Sequence, residues 1–401
     1  MSLRLLSVGF ATAAALATTT AAPAVALTPA PTTTGHYIVV VHPAAVSALD
    51  PLLQHVARLG GGISHVYRHA LSGFAVSAPA ALVSVLRAHP AVAYVERSQR
   101  VRASVSQTGA PWGLDRIDQR ALPVNRTYSY GLTGKGVTAY VIDTGILLTH
   151  SDFGGRALKG FDAVTPGGSA ADCNGHGTHV AGSLGGSTYG VAKAARLVAV
   201  RVLGCEGDGE TAGVIAGIDW VTGHHRPGQP AVANMSLGGS VSRALDDAVR
   251  RSIADGISYA VAAGNGNVLG SGVDACGDSP GRVTEALTVG ATDRSDARAT
   301  FSNFGRCVDV YAPGVDIASA WHTSPTATNT ISGTSMASPH AAGVAALVLQ
   351  RSPRATPQAV HDRVVAVATK GIVSGSSPGG GLLGLGGSGE PVNNHLLFAG
   401  V

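Results

Sequence analysis

Two hydrophobic rhythms divide the chain. Over residues 36–102, short apolar runs alternate with amphipathic stretches. HYIVVVHP (residues 36–43) is strand-like, residues 44–59 carry helical spacing, and YRHALSGFAV (residues 67–76) predicts a strand pair. Residues 79–88 predict a helix and residues 92–96 a last strand. That order, β-α-β-β-α-β in about 65 residues, describes a small α+β (ferredoxin-like) domain. From about Val105 the rhythm changes to buried β-branched strands alternating with helices. VTAYVIDTG (137–145), ARLVAVRVL (195–203) and GISYAVAAGN (256–265) predict strands. HGTHVAGSLGG (176–186), residues 211–221 and residues 242–255 predict helices, the last N-capped by Ser242 and ended by Asp255-Gly256. Such alternation implies an α/β architecture with a mostly parallel sheet covered on both faces. Sites in such sheets gather at the carboxyl ends of the strands. Residues 370–390, with GGGLLGLGGSG, predict a flexible surface loop, and residues 393–400 a short apolar end segment.

The N-terminus has its own pattern. Arg4 precedes an apolar stretch over residues 5–17, and Ala24-Val25-Ala26 offers a small-x-small cleavage site. Residues 1–26 therefore predict a secretory signal peptide and a secreted, extracellular protein. The stretch is short for a span of about 20 residues, which predicts no membrane association once the signal is removed. A Pro/Thr linker covers residues 28–34. The 401 residues are 45% hydrophobic and 13% charged, which excludes wholesale disorder. The net charge of +4 invites a nucleic-acid reading, but it is unevenly placed. Residues 27–104 carry six Arg/Lys against two Asp/Glu, and residues 105–401 carry 21 against 22. A nucleic-acid partner is not expected, because the positive charge sits in a segment that the argument below makes removable.

Three residues point to one chemistry. Asp143 ends a buried strand in V-I-D-T-G, His176 opens a small-residue helix in N-G-H-G-T-H-V-A-G, and Ser335 opens another in G-T-S-M-A-S-P-H. A serine hydroxyl needs a base to take its proton, and that base needs an anion to fix its tautomer and stabilise its cation. Singly, each residue has a plain structural role: a turn carboxylate, a structural histidine, a helix N-cap. His179, one turn on, is an alternative base. An esterase reading lacks the G-x-S-x-G elbow around Ser335. A catalytically dead binding module would not need the three together. Cys173, Cys205, Cys276 and Cys307 form no CxxC pair, which disfavours zinc, and a secreted chain permits disulfides in any of three pairings.

GTSMASPH, NGHGTHVAG and APWGLDRIDQR (110–120) make the chain resemble a subtilase, a subtilisin-like serine peptidase. It is most similar to the proteinase K-like branch and its aqualysin-type secreted bacterial members. The resemblance implies a three-layer subtilisin-like fold over residues 105–401, with Asp143, His176 and Ser335 as triad and His179 as a packing residue. It implies that Asn265, in A-V-A-A-G-N-G-N, donates to the developing oxyanion. It places Gly207, Ser236, Leu237 and Gly238 along the substrate and Ala262, Ala263 and Gly264 around the side chain preceding the cleaved bond. That lining, small and uncharged, predicts aromatic or large aliphatic residues there and not Lys or Arg. The resemblance also implies the disulfides Cys173–Cys205 and Cys276–Cys307. No cofactor is expected for the chemistry, and structural calcium is expected at two places. One is Asp309 with the carbonyls of Thr284 and Ala286; the other is Asp115, Asp118 and Gln119, with Asn125 and Thr127 nearby. Residues 27–104 resemble an inhibitor-type propeptide, a partner in cis that is cleaved off near RASVSQ. A monomeric endopeptidase acting on polypeptides, with no further C-terminal domain, is the expectation.

Overall fold

The computed structural model describes residues 34–98, 105–267, 270–375 and 393–401. The predicted signal peptide and residues 376–390 of the predicted Gly/Ser-rich loop lie outside the described residues. The chain falls into two compact units, divided between Val101 and Arg102.

The N-terminal unit is a four-stranded antiparallel sheet with two helices. Its strands are Gly35–Val41, Gly62–Tyr67, Gly73–Ala78 and Val92–Arg97, in the spatial order second, third, first, fourth. Helices Leu49–Arg58 and Ala80–Ala88 supply Leu49, Leu52, Val56, Leu82, Val83 and Leu86 to a core shared with Val39, Val41, Phe74 and Val76. Two local expectations shift. The helical run over residues 44–59 begins as a 3-10 turn, Pro43–Ala48, because Pro43 starts it tightly. The strand pair predicted over residues 67–76 is displaced: its first strand ends at Tyr67, and residues 68–72 form the connection. Leu71-Ser72-Gly73 supplies the turn there, and the apolar Leu71 is exposed.

The larger unit is built on a nine-stranded sheet. In spatial order the strands are Thr369–Lys370, His395–Leu396, Val310–Pro313, Leu287–Thr292, Ser258–Ala262, Ala231–Met235, Thr138–Asp143, Arg196–Arg201 and Ala157–Asp162. Every pairing is parallel except that between the first two. Side chains alternate along each strand. Ala139, Val141, Leu197 and Ala199 face one core with the helices His176–Gly185 and Thr334–Arg351. Tyr140, Ile142, Val198 and Val200 face a second core with Thr211–His224 and Arg243–Ala254. This period of two, buried on both faces, produces the three layers. Ser242 caps the Arg243–Ala254 helix as predicted, its side chain accepting from the Leu245 N–H. Four of the strands, Ala157–Asp162, Ala231–Met235, Leu287–Thr292 and Val310–Pro313, were not singled out from the sequence. The last three are short and buried throughout, and Ala157–Asp162 is a half-exposed edge strand, so none shows a regular alternation along the chain. The chain runs from Thr138–Asp143 outward to one edge, then returns to place Ala231–Met235 on its other side. The carboxyl ends flanking that switch hold the site.

Candidate active site

Asp143 is the last residue of its strand and is fully buried. Its Oδ1 accepts from the Thr144 N–H at 2.7 Å and from His176 Nδ1 at 2.7 Å. A carboxylate here only accepts, so Nδ1 carries the proton and Nε2 is left as the basic nitrogen. The His176 side chain remains 25% exposed to the cleft. Burial works against the imidazolium, but the Asp143 charge and hydrogen bond, joined by the Asp172 charge, outweigh it. The His176 pKa is therefore raised.

Asp172 is a residue that sequence reasoning missed. It is buried and accepts five hydrogen bonds: from Thr144 Oγ1, the Asn174 and Gly175 N–H groups, and the N–H and Oγ1 of Thr178. It thus ties the turn after Asp143 to the first turn of the helix bearing His176. Thr144 Oγ1 adds to this by accepting from the Gly177 N–H at 2.8 Å. The one available signal was its place four residues before the first His of H-G-T-H. His179 faces the other way: Nε2 donates to the Ile317 carbonyl at 2.9 Å, and burial lowers its pKa to about 4. It packs, as the resemblance implies, and does not reach the cleft.

The serine half is assembled by neutral groups. Thr334–Arg351 starts immediately after Gly333, placing Ser335 in the first turn, where its N–H has no partner within the helix. Ser335 Oγ donates to the Ser236 carbonyl at 3.1 Å, while Ser236 Oγ donates to the Ser335 carbonyl at 2.7 Å. Asn234 and Ser338 extend this exchange into the buried strand end. Asn265 is oriented by Thr334, whose N–H and Oγ1 both donate to Asn265 Oδ1 at 2.8 and 2.9 Å. That fixes the amide, so Nδ2 points the other way. The position a Cβ on Gly333 would occupy lies 3.5 Å from Asn265 Nδ2 and 3.6 Å from the Ser335 nitrogen. Two donors converge there on a space that only glycine leaves open.

His176, Ser335, Gly207, Ser236, Leu237 and Gly238 line one cleft of about 710 Å³, together with Glu206 and Asp208. An adjoining pocket of about 280 Å³ is lined by Ala262, Ala263, Gly264, Asn265 and Ser335. The structure brings all seven predicted substrate-lining residues to these two spaces. It corrects one expectation: the second pocket is not uncharged, because Asp278 is part of its lining. The short ladder of Gly239–Ser240 with Asp278–Ser279 carries Asp278 there, a placement that no local pattern announces.

The structure joins Cys173 to Cys205 and Cys276 to Cys307. Around Asp115, both carboxylate oxygens are taken by the N–H groups of Asn125 and Arg126. Asp118 Oδ2 accepts from the Ser129 N–H at 2.6 Å, but Asp118 Oδ1 is buried with no partner. Burial, with the Asp115 charge nearby, raises the Asp118 pKa despite the Ser129 bond. Gln119 Nε2 donates to the Ala121 and Pro123 carbonyls, which leaves its oxygen free to ligate. An orphaned carboxylate oxygen among hard oxygen donors fits calcium. Asp309 fits less well. Its Oδ2 accepts from the Thr288 N–H at 2.8 Å, and its Oδ1 faces His361 Nε2 at 3.4 Å, so a histidine occupies the side a cation would take. Thr284 and Ala286 lie just before the Leu287–Thr292 strand beside it.

A buried Asp–His pair and a helix-start serine, sharing one cleft at the carboxyl edge of a doubly covered parallel sheet, define a serine hydrolase. Comparison with known proteins narrows the class. The model of the subtilase family matches residues 134–386, and that of peptidase inhibitor I9 matches residues 36–104. The chain is 58% identical over 314 residues to the extracellular serine proteinase of Thermus sp., a match spanning 78% of this chain and 75% of that protein. It is 50% identical over 331 residues to the alkaline serine exoprotease A of Vibrio alginolyticus, spanning 80% of this chain and 60% of that protein. The crystal structure of a cold adapted subtilisin-like serine proteinase superposes with a TM-score of 0.66 at 50% identity, covering 73% of this chain and 99% of that one. The chain belongs to the subtilase family: it is a subtilisin-like serine protease with an inhibitor-type N-terminal domain.

Proposed function

We propose that the chain is a secreted serine endopeptidase, made as a zymogen, in which Asp143, His176 and Ser335 act as the triad. His176 Nε2 takes the Ser335 proton as Oγ bonds to the scissile carbonyl carbon. The carbonyl oxygen becomes an anion held by Asn265 Nδ2 and the Ser335 N–H. When that intermediate collapses, the C–N bond breaks and His176 gives the proton to the leaving amine. Water, deprotonated by the same nitrogen, then attacks the acyl-enzyme and releases Ser335. Asp143 holds the tautomer throughout and stabilises the imidazolium. The observation that carries this reading is the convergence of the Asn265 and Ser335 donors beside the nucleophile.

Substrate adds as a strand along Ser236–Leu237–Gly238 and Gly207, with the preceding side chain entering the pocket of Ala262, Ala263 and Gly264. Its small walls leave room for a large side chain, aromatic or aliphatic. Residues 1–26 direct export, a reading supported by relatives whose names include extracellular enzymes. Residues 27–104 act as folding assistant and temporary inhibitor, consistent with the match to peptidase inhibitor I9. Structural calcium is held by Asp118 and Gln119 beside Asp115 and takes no part in the chemistry; Asp309, already faced by His361, is the poorer site. The mature enzyme is monomeric.

The test is expression of the wild type beside Ser335→Ala. The wild type is expected to cleave itself near residue 104 and to hydrolyse peptides with Phe or Leu before the scissile bond. The variant is expected to stay full length and inert. An unprocessed, inactive wild type would overturn the reading.

A further inference from the structure

Among the described residues Asp278 is the one charged residue lining the inner pocket, and nothing in the reaction just described uses it. Its carboxylate is held in place from behind. Asn303 Nδ2 donates to Asp278 Oδ2 at 3.0 Å and also to the Ala263 carbonyl at 2.9 Å. Gly264 explains how close the carboxylate stands to the wall. A Cβ on Gly264 would lie 3.1 Å from Asp278 Oδ2 and would collide with Asn303 Nδ2, and the backbone there has φ +100°. Glycine is needed so that the carboxylate can approach the pocket wall.

The charge is uncompensated. Among the described residues Asp278 takes part in no ion pair, and the arginines nearest in sequence are engaged elsewhere. Arg282 faces Asp246, Arg294 lies over the Trp112 ring, and Arg298 donates to the Ser302 and Gly375 carbonyls. The adjoining cleft carries Glu206 and Asp208, and among the described residues no Lys or Arg lines either space. A carboxylate that lines a pocket of about 280 Å³, answered only by a neutral amide, is a counter-ion without its ion. The small walls of Ala262, Ala263 and Gly264 suit an unbranched aliphatic stem, which is how Lys and Arg bury carbon while keeping their heads on a charge.

We propose that Asp278 is a specificity-determining residue that makes this pocket accept Lys and Arg immediately before the scissile bond. The proposal rests on the peptidase reading above and adds a cationic class to its substrates. It reverses the expectation, drawn from the wall residues alone, that basic side chains are excluded. A pocket with a half-buried charge partner discriminates between a cation and its neutral isostere more than methylene contacts do, because a neutral guest covers the carboxylate and leaves it unpaired.

The experiment uses processed, mature enzyme and peptides that differ only at the residue before the scissile bond: Phe, Lys, Arg and norleucine, the neutral counterpart of Lys. The expected result is kcat/KM for Lys above that for norleucine by about tenfold or more. In Asp278→Asn, which keeps an oxygen for Asn303, that ratio should fall to about one. A measurement on the wild type alone supports or opposes the same claim: raising salt from about 20 to about 500 mM should lower the Lys-to-norleucine ratio, since added ions screen the pair. If Lys and Arg are hydrolysed no better than norleucine, and neither the substitution nor salt moves the ratio, the proposal is overturned. Hydrolysis of the Phe peptide in that case leaves the peptidase reading standing, whereas no hydrolysis of any of the four peptides overturns both.

Discussion

The two halves of the catalytic cleft are built from different physics. The half carrying His176 is organised around buried charge: Asp143 accepts from the imidazole, and Asp172 gathers five donors from the turn and helix around it. Among the described residues, the groups that hydrogen-bond around Ser335 and Asn265 are neutral, and the charge of Asp278 lies farther along the pocket wall. Ser236, Asn234, Ser338, Thr334 and Asn265 are all neutral, and His340, which donates to the Met336 carbonyl, is kept neutral by burial that lowers its pKa to about 4. The contrast separates two requirements of acyl transfer. A base must change charge during the reaction, so its surroundings are ionic and its strength depends on pH. Oxyanion donors must stay fixed while charge arrives, so theirs are neutral and independent of pH over the working range.

The sharpest way to break this contrast is to remove the proposed nucleophile. Ser335→Ala should lower kcat by about 10⁶, the scale seen when a triad serine of this kind is deleted, measured on mature enzyme processed in trans. Asn265→Ala should lower kcat by about 10² to 10³ with little change in KM. The same factor should appear at every pH where the wild type is active, and a factor that varies with pH would contradict the neutral character assigned to that half. The His176 half should behave in the opposite way. Catalysis needs the neutral imidazole, and its pKa is raised, so kcat/KM should fall with acid at a pH above the ordinary histidine value of about 6.5. Asp172→Asn removes one of the charges that raise it, so the acid limb should move down by up to about one unit in a pH–rate profile. The smallest effect belongs to Ser236→Ala. It deletes the bond to the Ser335 carbonyl but leaves the Ser236 carbonyl in place, and should cost about 0.5–1.5 kcal/mol in thermal or denaturant unfolding.

How much of this was legible in the sequence follows the same division. Asp143, His176, Ser335 and Asn265 stand in motifs whose local shape is part of their chemistry: a strand end, two helix starts and a glycine-flanked turn. The long central helices and three of the sheet strands were legible because each carries a sustained pattern. Asp172 and Asp278 were not. Asp172 acts through partners that span residues 144–178, and Asp278 through Asn303 and Gly264, so their roles exist only after the sheet has brought those segments together. The residues Ala262, Ala263 and Gly264 line the pocket beside Ser335, yet by themselves they imply an uncharged space because the charge arrives from another loop. The strands Ala231–Met235 and Leu287–Thr292 are short and buried throughout, so even their polar residues Asn234, Thr288 and Thr292 mark no exposed face.

The order of the sheet carries a consequence for how the molecule comes into being. Thr138–Asp143 lies beside Ala231–Met235, and His395–Leu396 inserts between Val310–Pro313 and Thr369–Lys370, with Leu396 fully buried. Such pairings join segments far apart along the chain, and loop closure must come before the burial that rewards it. The edge beyond Val310–Pro313 cannot close until residues near 395 have left the ribosome. The last residues of the described chain thus complete a sheet whose central strands are already paired over long loops, an order of assembly that makes folding slow.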